Sequence, residues 1–125
     1  MAAYLHDDIL DAALNVIDNN VEYLYICSAQ PTTFAEASST YALGNKAAPA
    51  IGAPTNGDLS GRKVVVSAIT DGVVTGTDTA TWIALTDNSE SKLLVAQELS
   101  ASQGVTSGNT FTLTEFDITI PDPTA

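Results

Sequence analysis

Apolar residues recur at helical spacing only once in this chain. Between Asp7 and Asn19 they fall at Ile9, Leu10, Ala13, Leu14, Val16 and Ile17, with Val21 just beyond. That is close to the i, i+3, i+4, i+7 pattern of an amphipathic helix. Asp7 is placed to cap it, Asp8 and Asp11 put negative charge near the positive end of its dipole, and Asn19 and Asn20 can end it. After Asn20 the helical period is lost. Later apolar runs are short, rich in β-branched and aromatic residues, and bounded by Gly, Pro, Asn or Asp, which is strand chemistry. The expected fold is therefore mainly β with one N-terminal helix, its strands forming an antiparallel β-sandwich or a β-barrel-like meander.

Glu22 to Ser28 reads as the first strand. Residues 29–60 hold three of the five prolines and many small residues, and read as a long, mostly irregular excursion with at most one short strand near Ser39 to Leu43. Such excursions are commonly functional or fixed against a partner. Deleting residues 31–56 is expected to leave a folded core. From Gly61 to Ile120 the pattern predicts a β-meander: Arg62 to Ile69, an Asp71-Gly72 hairpin turn, Val73 to Thr86, a polar turn at Asp87 to Ser91, Lys92 to Leu99, a loop at Ser100 to Asn109, and Thr110 to Ile120. In that last segment Phe111 and Leu113 share one parity and Phe116, Ile118 and Ile120 the other, which predicts a β-bulge near Thr114 and Glu115. Pro121 and Pro123 stop further pairing, so residues 121–125 are expected to form a short arm. The chain has 125 residues, enough for a single domain with one core.

Charge narrows the function classes. Four Lys and Arg stand against fifteen Asp and Glu, a net charge of -11. Such a chain repels nucleic-acid phosphates and anionic membrane surfaces. No run approaches the length of a membrane span, and Met1 to Asp8 has no basic start before a hydrophobic core, so synthesis in the cytoplasm is expected. The single cysteine, Cys27, permits no internal disulfide and lies in an apolar run, where it reads as a small core residue.

No catalytic set emerges. His6 is the one histidine, with no Ser, Cys or carboxylate at a motif spacing from it, and reads as an exposed or helix-capping residue. One His and one Cys do not make a zinc site. Asp7, Asp8 and Asp11 are explained by the helix dipole, and Asp87-Asn88-Ser89-Glu90 by a polar turn rather than a calcium loop. Gly52 to Gly57 has phosphate-loop spacing, but Asp58 and Leu59 stand where Lys and Ser or Thr are needed. Tyr23 and Tyr25 share a strand face and, with Tyr4, Tyr41 and Trp82, could build a sugar platform, although strand tyrosines generally pack cores or interfaces. No enzyme, cofactor or metal is expected.

The stretch Thr79 to Ile120, TATWIALTDNSESKLLVAQELSASQGVTSGNTFTLTEFDITI, combines a small-Trp-x-Ala-Leu strand, a polar turn, a Leu-Leu strand, a Gln-x-Val-x-x-Gly loop and a Phe-x-Leu closing strand. It resembles small structural proteins of tailed bacteriophages and prophages. YLHDDILDAALNVIDNN and LYICSAQPTTFAEASSTYALG in the front half are similar to the same group. The resemblance implies a non-enzymatic virion component, first a capsid decoration (cement) protein on the outer head surface, alternatively a tail, adaptor or fibre-attachment part. A carbohydrate-binding module is the reading from a different class. The implied partners are the major capsid protein or tail proteins of the same phage and further copies of the chain. Phe34, Tyr41, Leu43 and Ile51 in the excursion are the expected partner-binding residues.

Overall fold

The loss of helical period after Asn20 is where the helix ends. In a computed structural model, which describes residues 5–58 and 61–121, α1 spans Asp7–Asn20. Nine strands follow among the described residues: β1 (Tyr23–Cys27), β2 (Ala42–Ala47), β3 (Thr55–Asn56), β4 (Arg62–Val66), β5 (Ile69–Val74), β6 (Asp78–Asp87), β7 (Lys92–Val105), β8 (Thr110–Leu113) and β9 (Phe116–Ile120). All pair antiparallel, and the fold is mainly β with one N-terminal helix, as expected. Residues 122–125 of the C-terminal arm, and Tyr4 of the aromatic set, lie outside the described residues.

The chain divides into two compact units. The first comprises residues 1–20, 50–67 and 115–125. It holds α1 and the three-stranded sheet β3-β4-β9. α1 packs on β4, and Leu10, Leu14, Val64 and Val66 are the residues buried there. Full burial of side chains of this size stabilises by about 1.5–3 kcal/mol each. Arg62 shares a strand face with Val64 and Val66 and reaches the helix, where its Nε donates to Asp11 Oδ1 at 2.7 Å and its Nη2 to Asp11 Oδ2 at 3.2 Å. On the other face Lys63 Nζ donates to Asp58 and, at 2.9 Å, to Asp117 on β9. Gly61 sits at φ +71° beside the end of β9, where a Cβ would meet the Ile120 carbonyl.

The second unit comprises residues 21–49 and 68–114 and holds a six-stranded sheet in the order β7-β6-β1-β2-β5-β8, curled as a half-barrel. Period 2 puts Leu24 and Ile26 of β1 on the face they share with Ile83 and Leu85 of β6. All four are essentially inaccessible, as are Val74 and Phe111.

Five local expectations are corrected. Asp71-Gly72 is not a hairpin turn: both residues lie inside β5, where Asp71 accepts from Lys46 Nζ of β2 at 3.0 Å. Gly72 is needed because the Phe111 ring occupies the space a Cβ would take. Ser100 to Asn109 is not all loop: β7 continues to Val105, and the turn is placed at Gly108, with φ +90°. The parity change at Thr114 and Glu115 is not a bulge but a change of sheet, β8 pairing with β5 in one unit and β9 with β4 in the other. A bulge and a sheet change leave the same alternation in sequence, and only long-range pairing separates them. The excursion carries more than one short strand: besides irregular chain it contains a helical turn, β2 and β3. β2 lies between β1 and β5, so residues 31–56 are not a removable loop. Finally, the N-cap of α1 is His6 rather than Asp7: its Nδ1 accepts from the Asp8 N–H at 3.0 Å and its carbonyl from the Ile9 N–H at 3.0 Å.

Candidate functional site

The four residues singled out for partner binding do not form one site. Phe34 and Tyr41 are half-buried and bracket one turn of the six-stranded unit. Ile51 belongs to the helical unit, half-buried and bridged to Val66. Leu43 is 8% exposed in β2, its carbonyl accepting from Thr75 N–H at 2.8 Å and Gly76 N–H at 3.1 Å. It offers a partner almost no surface.

The turn between Phe34 and Tyr41 is built by its sequence. Thr33-Phe34-Ala35-Glu36 has capping-box spacing. Thr33 Oγ1 accepts from the Glu36 N–H at 3.1 Å, and the Glu36 carboxylate accepts from the Thr32 N–H at 2.8 Å and the Thr32 hydroxyl at 2.7 Å. These bonds, the Thr32 N–H foremost, hold the Glu36 carboxyl below its ordinary range. The helix then widens into a π turn over Glu36–Thr40, closed by the Tyr41 N–H donating to the Glu36 carbonyl at 2.9 Å. Ala37 is fully buried in a cluster with Tyr25, Cys27 and Ala84, against which Tyr23, Tyr41, Trp82 and Leu93 pack. The Cys27 thiol faces the Ala37 carbonyl at 3.6 Å, and burial pushes its pKa up to about 12. It is a core residue, because a neutral buried thiol is a poor nucleophile.

On this face Tyr23 and Tyr25 stack with ring centroids 5.8 Å apart and planes 22° apart. The Tyr25 hydroxyl accepts from Asn88 Nδ2 at 3.1 Å, and Asn88 Oδ1 accepts from Thr86 Oγ1 at 2.6 Å. The Asp87 to Ser91 segment is thus a turn tied to the aromatic face. Glu22 holds it from the side, accepting from the Ser89 N–H at 2.6 Å, which draws the Glu22 carboxyl below its usual value. Trp82 and Tyr41 are half-buried beside the stack.

The helical unit presents a different surface. Ile9 is 55% and Val16 47% exposed, and Ala12 and Ala13 between them are exposed too. The helical pattern of the sequence therefore conceals two apolar ridges. Leu10 and Leu14 face the sheet, and Ile9, Ala13 and Val16 face away from it. The signal was present in the sequence: seven apolar positions exceed what one buried stripe requires.

A third feature lies in the six-stranded unit, where a cleft of about 320 Å³ is lined by Leu99, Ser100, Ala101, Gln103, Thr112, Leu113 and Thr114. Opposite β6, β7 runs from Glu98 to Gln103 while β6 runs only from Trp82 to Ala80. The surplus chain arches out as a wide bulge, and Gln103 Nε2 donates to the Thr112 carbonyl of β8 at 3.2 Å, joining the two edge strands of the sheet. Sequence reasoning missed this cleft, because a bulge of this kind leaves no periodic mark.

Three of the four basic residues are tied to carboxylates: Lys46 to Asp71, Arg62 to Asp11, and Lys63 to Asp58 and Asp117. The charge left unpaired at the surface is therefore predominantly acidic. Compared with known protein families, curated proteins and solved structures, the chain matches none of them.

Proposed function

We propose that this chain is a non-catalytic virion protein of a tailed phage that decorates the outer surface of the head and stabilises it. The observation that supports this reading is the set of apolar side chains held at the surface of an acidic molecule: Ile9, Val16 and Val73 are each about half exposed. Such side chains are available for protein contact, while the surrounding charge keeps the unassembled protein soluble. The resemblance of Thr79 to Ile120 to small phage structural proteins points the same way. Phe34, Tyr41 and Ile51, half-buried, have area left to give to a capsid partner; Leu43 does not. Repulsion of phosphates favours the outside of the head over the DNA-facing interior.

Copy number tests the reading. Quantitative mass spectrometry of purified virions should find this chain at a fixed ratio comparable to the major capsid protein. A count far below that ratio assigns it to a tail, adaptor or fibre-attachment position and overturns the head assignment. Complete absence overturns both. In that event the half-buried Trp82 and Tyr41 beside the Tyr23–Tyr25 stack favour a carbohydrate-binding module. That reading requires the Trp82 fluorescence to change on sugar titration.

A further inference from the structure

We propose that the outward face of α1 is a self-docking surface, on which a second copy of this chain packs its own α1 antiparallel about a two-fold axis. Ile9, Ala12, Ala13 and Val16 fall within an arc of roughly 100° at 3.6 residues per turn, and all four are exposed. The stripe is self-complementary. Two alanines occupy its middle, and one β-branched residue lies a turn away on either side. Pairing two such helices antiparallel about a point between Ala12 and Ala13 sets Ile9 of one copy against Val16 of the other. It also sets alanine against alanine, where small side chains let the axes approach. An isologous contact of this kind needs only one patch and closes on itself.

The charges beside the stripe admit a second copy, and because each copy carries a net charge of -11 the pairing should strengthen with added salt. Asp7, Asp11 and Asp18 project from the side of α1 opposite the stripe, and Asp11 is held by Arg62. Along the stripe's border stand Asn15, Asn19 and one acid, Asp8. In the antiparallel pairing Asp8 meets the amide flank of the other helix and no acid faces an acid. The two helix dipoles also run in opposition. A lysine- or arginine-rich partner would call for an acidic rim on both sides of the stripe, and that rim is missing. One helix face is smaller than a standard interface of about 1,200–2,000 Å², so the pairing is weak in dilute solution. The proposal uses Ile9 and Val16, which the virion reading also draws on, but it needs only the purified full-length chain, so absence of the protein from virions leaves it intact.

Sedimentation equilibrium over about 10 μM to about 1 mM tests it. The average mass should rise from monomer toward dimer, and the double variant Ile9→Ser/Val16→Ser should shift the midpoint at least about tenfold higher. That variant keeps the net charge and alters only exposed positions, so circular dichroism should be unchanged. Orientation is read by mild oxidation. Ala13→Cys should cross-link to itself, Ile9→Cys alone should not, and a mixture of Ile9→Cys with Val16→Cys should. Cys27 is silent in this assay because it is buried. A chain that stays monomeric throughout overturns the proposal, as does a double variant that associates like the parent, or an Ile9→Cys that cross-links to itself as readily as Ala13→Cys. Monomeric chain that nevertheless binds a Leu/Lys amphipathic peptide through Ile9 and Val16 overturns it in favour of a basic partner.

Discussion

At the scale of single residues, tolerance is set by the atoms opposite each backbone position. Gly72 lies in β5 at ordinary φ, so alanine there suffers no backbone strain. It suffers the Phe111 ring, which is 2% exposed and cannot move into solvent. Gly72→Ala should destabilise by about 1–3 kcal/mol, the usual cost of overpacking. Pairing it with Phe111→Leu should restore part of that loss, so the double variant should be less destabilised than the two single changes added together. Chemical denaturation of the four proteins of the cycle measures the coupling, and strict additivity would show that ring and glycine do not compete for space. Glu36 makes an acid-limb prediction. Its carboxyl is held below the ordinary 4.5, first by the Thr32 N–H and then by the Thr32 hydroxyl. A value depressed in the folded state means stabilisation that is complete above the unfolded value and is lost as pH falls through the lower, folded one. Between about pH 5.5 and about pH 3 the parent should therefore lose more of its urea midpoint than Glu36→Gln, with the two curves converging in acid. Equal slopes would mean that the carboxylate charge adds nothing to the turn.

Elements show where local pattern suffices and where it does not. α1, β1 and the polar turn after β6 were legible in the sequence because each is specified by its own residues: a 3.6 period from Ile9 to Ile17, a short tyrosine-rich apolar run from Tyr23 to Cys27, and hydroxylic and acidic residues from Asp87 to Ser91. The capping box at Thr33 to Glu36 was equally local and marks the start of the π turn. What stayed hidden depends on distant partners. Asp71-Gly72 looks like a turn until Lys46 and Phe111 are placed beside it. The segment Thr110 to Ile120 looks like one bulged strand until its halves are found in different sheets. Of the candidate site, the aromatic face was legible from Tyr23 and Tyr25, whereas the exposed ridge of α1 was not separated from the buried one, because apolar spacing does not say which side is covered. Strand β2 carries the consequence. It joins β1 to β5, and Tyr23 through Ile26 pair with Ala47 through Gly44 along it. Deleting residues 31–56 should leave a chain without dispersed amide resonances, because β1 and β5 lose the strand between them. Deleting residues 50–56, which omits only β3 and the bridge at Ile51, should leave the resonances of the six-stranded unit in place. Dispersed spectra from the larger deletion would mean that β1 and β5 can pair directly.

For the whole molecule, the deciding quantity is the balance between a few internal ion pairs and a large excess of negative charge. Arg62–Asp11, Lys63–Asp58, Lys63–Asp117 and Lys46–Asp71 are the pairs among the described residues that join a Lys or Arg to a carboxylate. Added salt weakens each of them, but surface pairs of this kind are individually worth little. The net charge of -11 acts between every pair of like groups in the folded chain, and compactness brings them closer than the unfolded state does. At low ionic strength the screening length is comparable to the molecule, so the repulsions add across it. Near physiological salt that length falls to about 8–10 Å. Screening should then remove more repulsion than attraction. Raising NaCl from about 10 mM to about 150 mM should raise the melting temperature, with most of the gain coming early, where the screening length changes fastest. Sodium sulfate at matched ionic strength should add a further increment by its exclusion from the surface. A melting temperature that falls with NaCl would mean that the three committed cations outweigh the remaining acidic excess, and that Arg62→Met should then abolish most of the salt dependence. If the melting temperature rises instead, Arg62→Met should steepen the rise, because removing one cation leaves the folded chain more negative still.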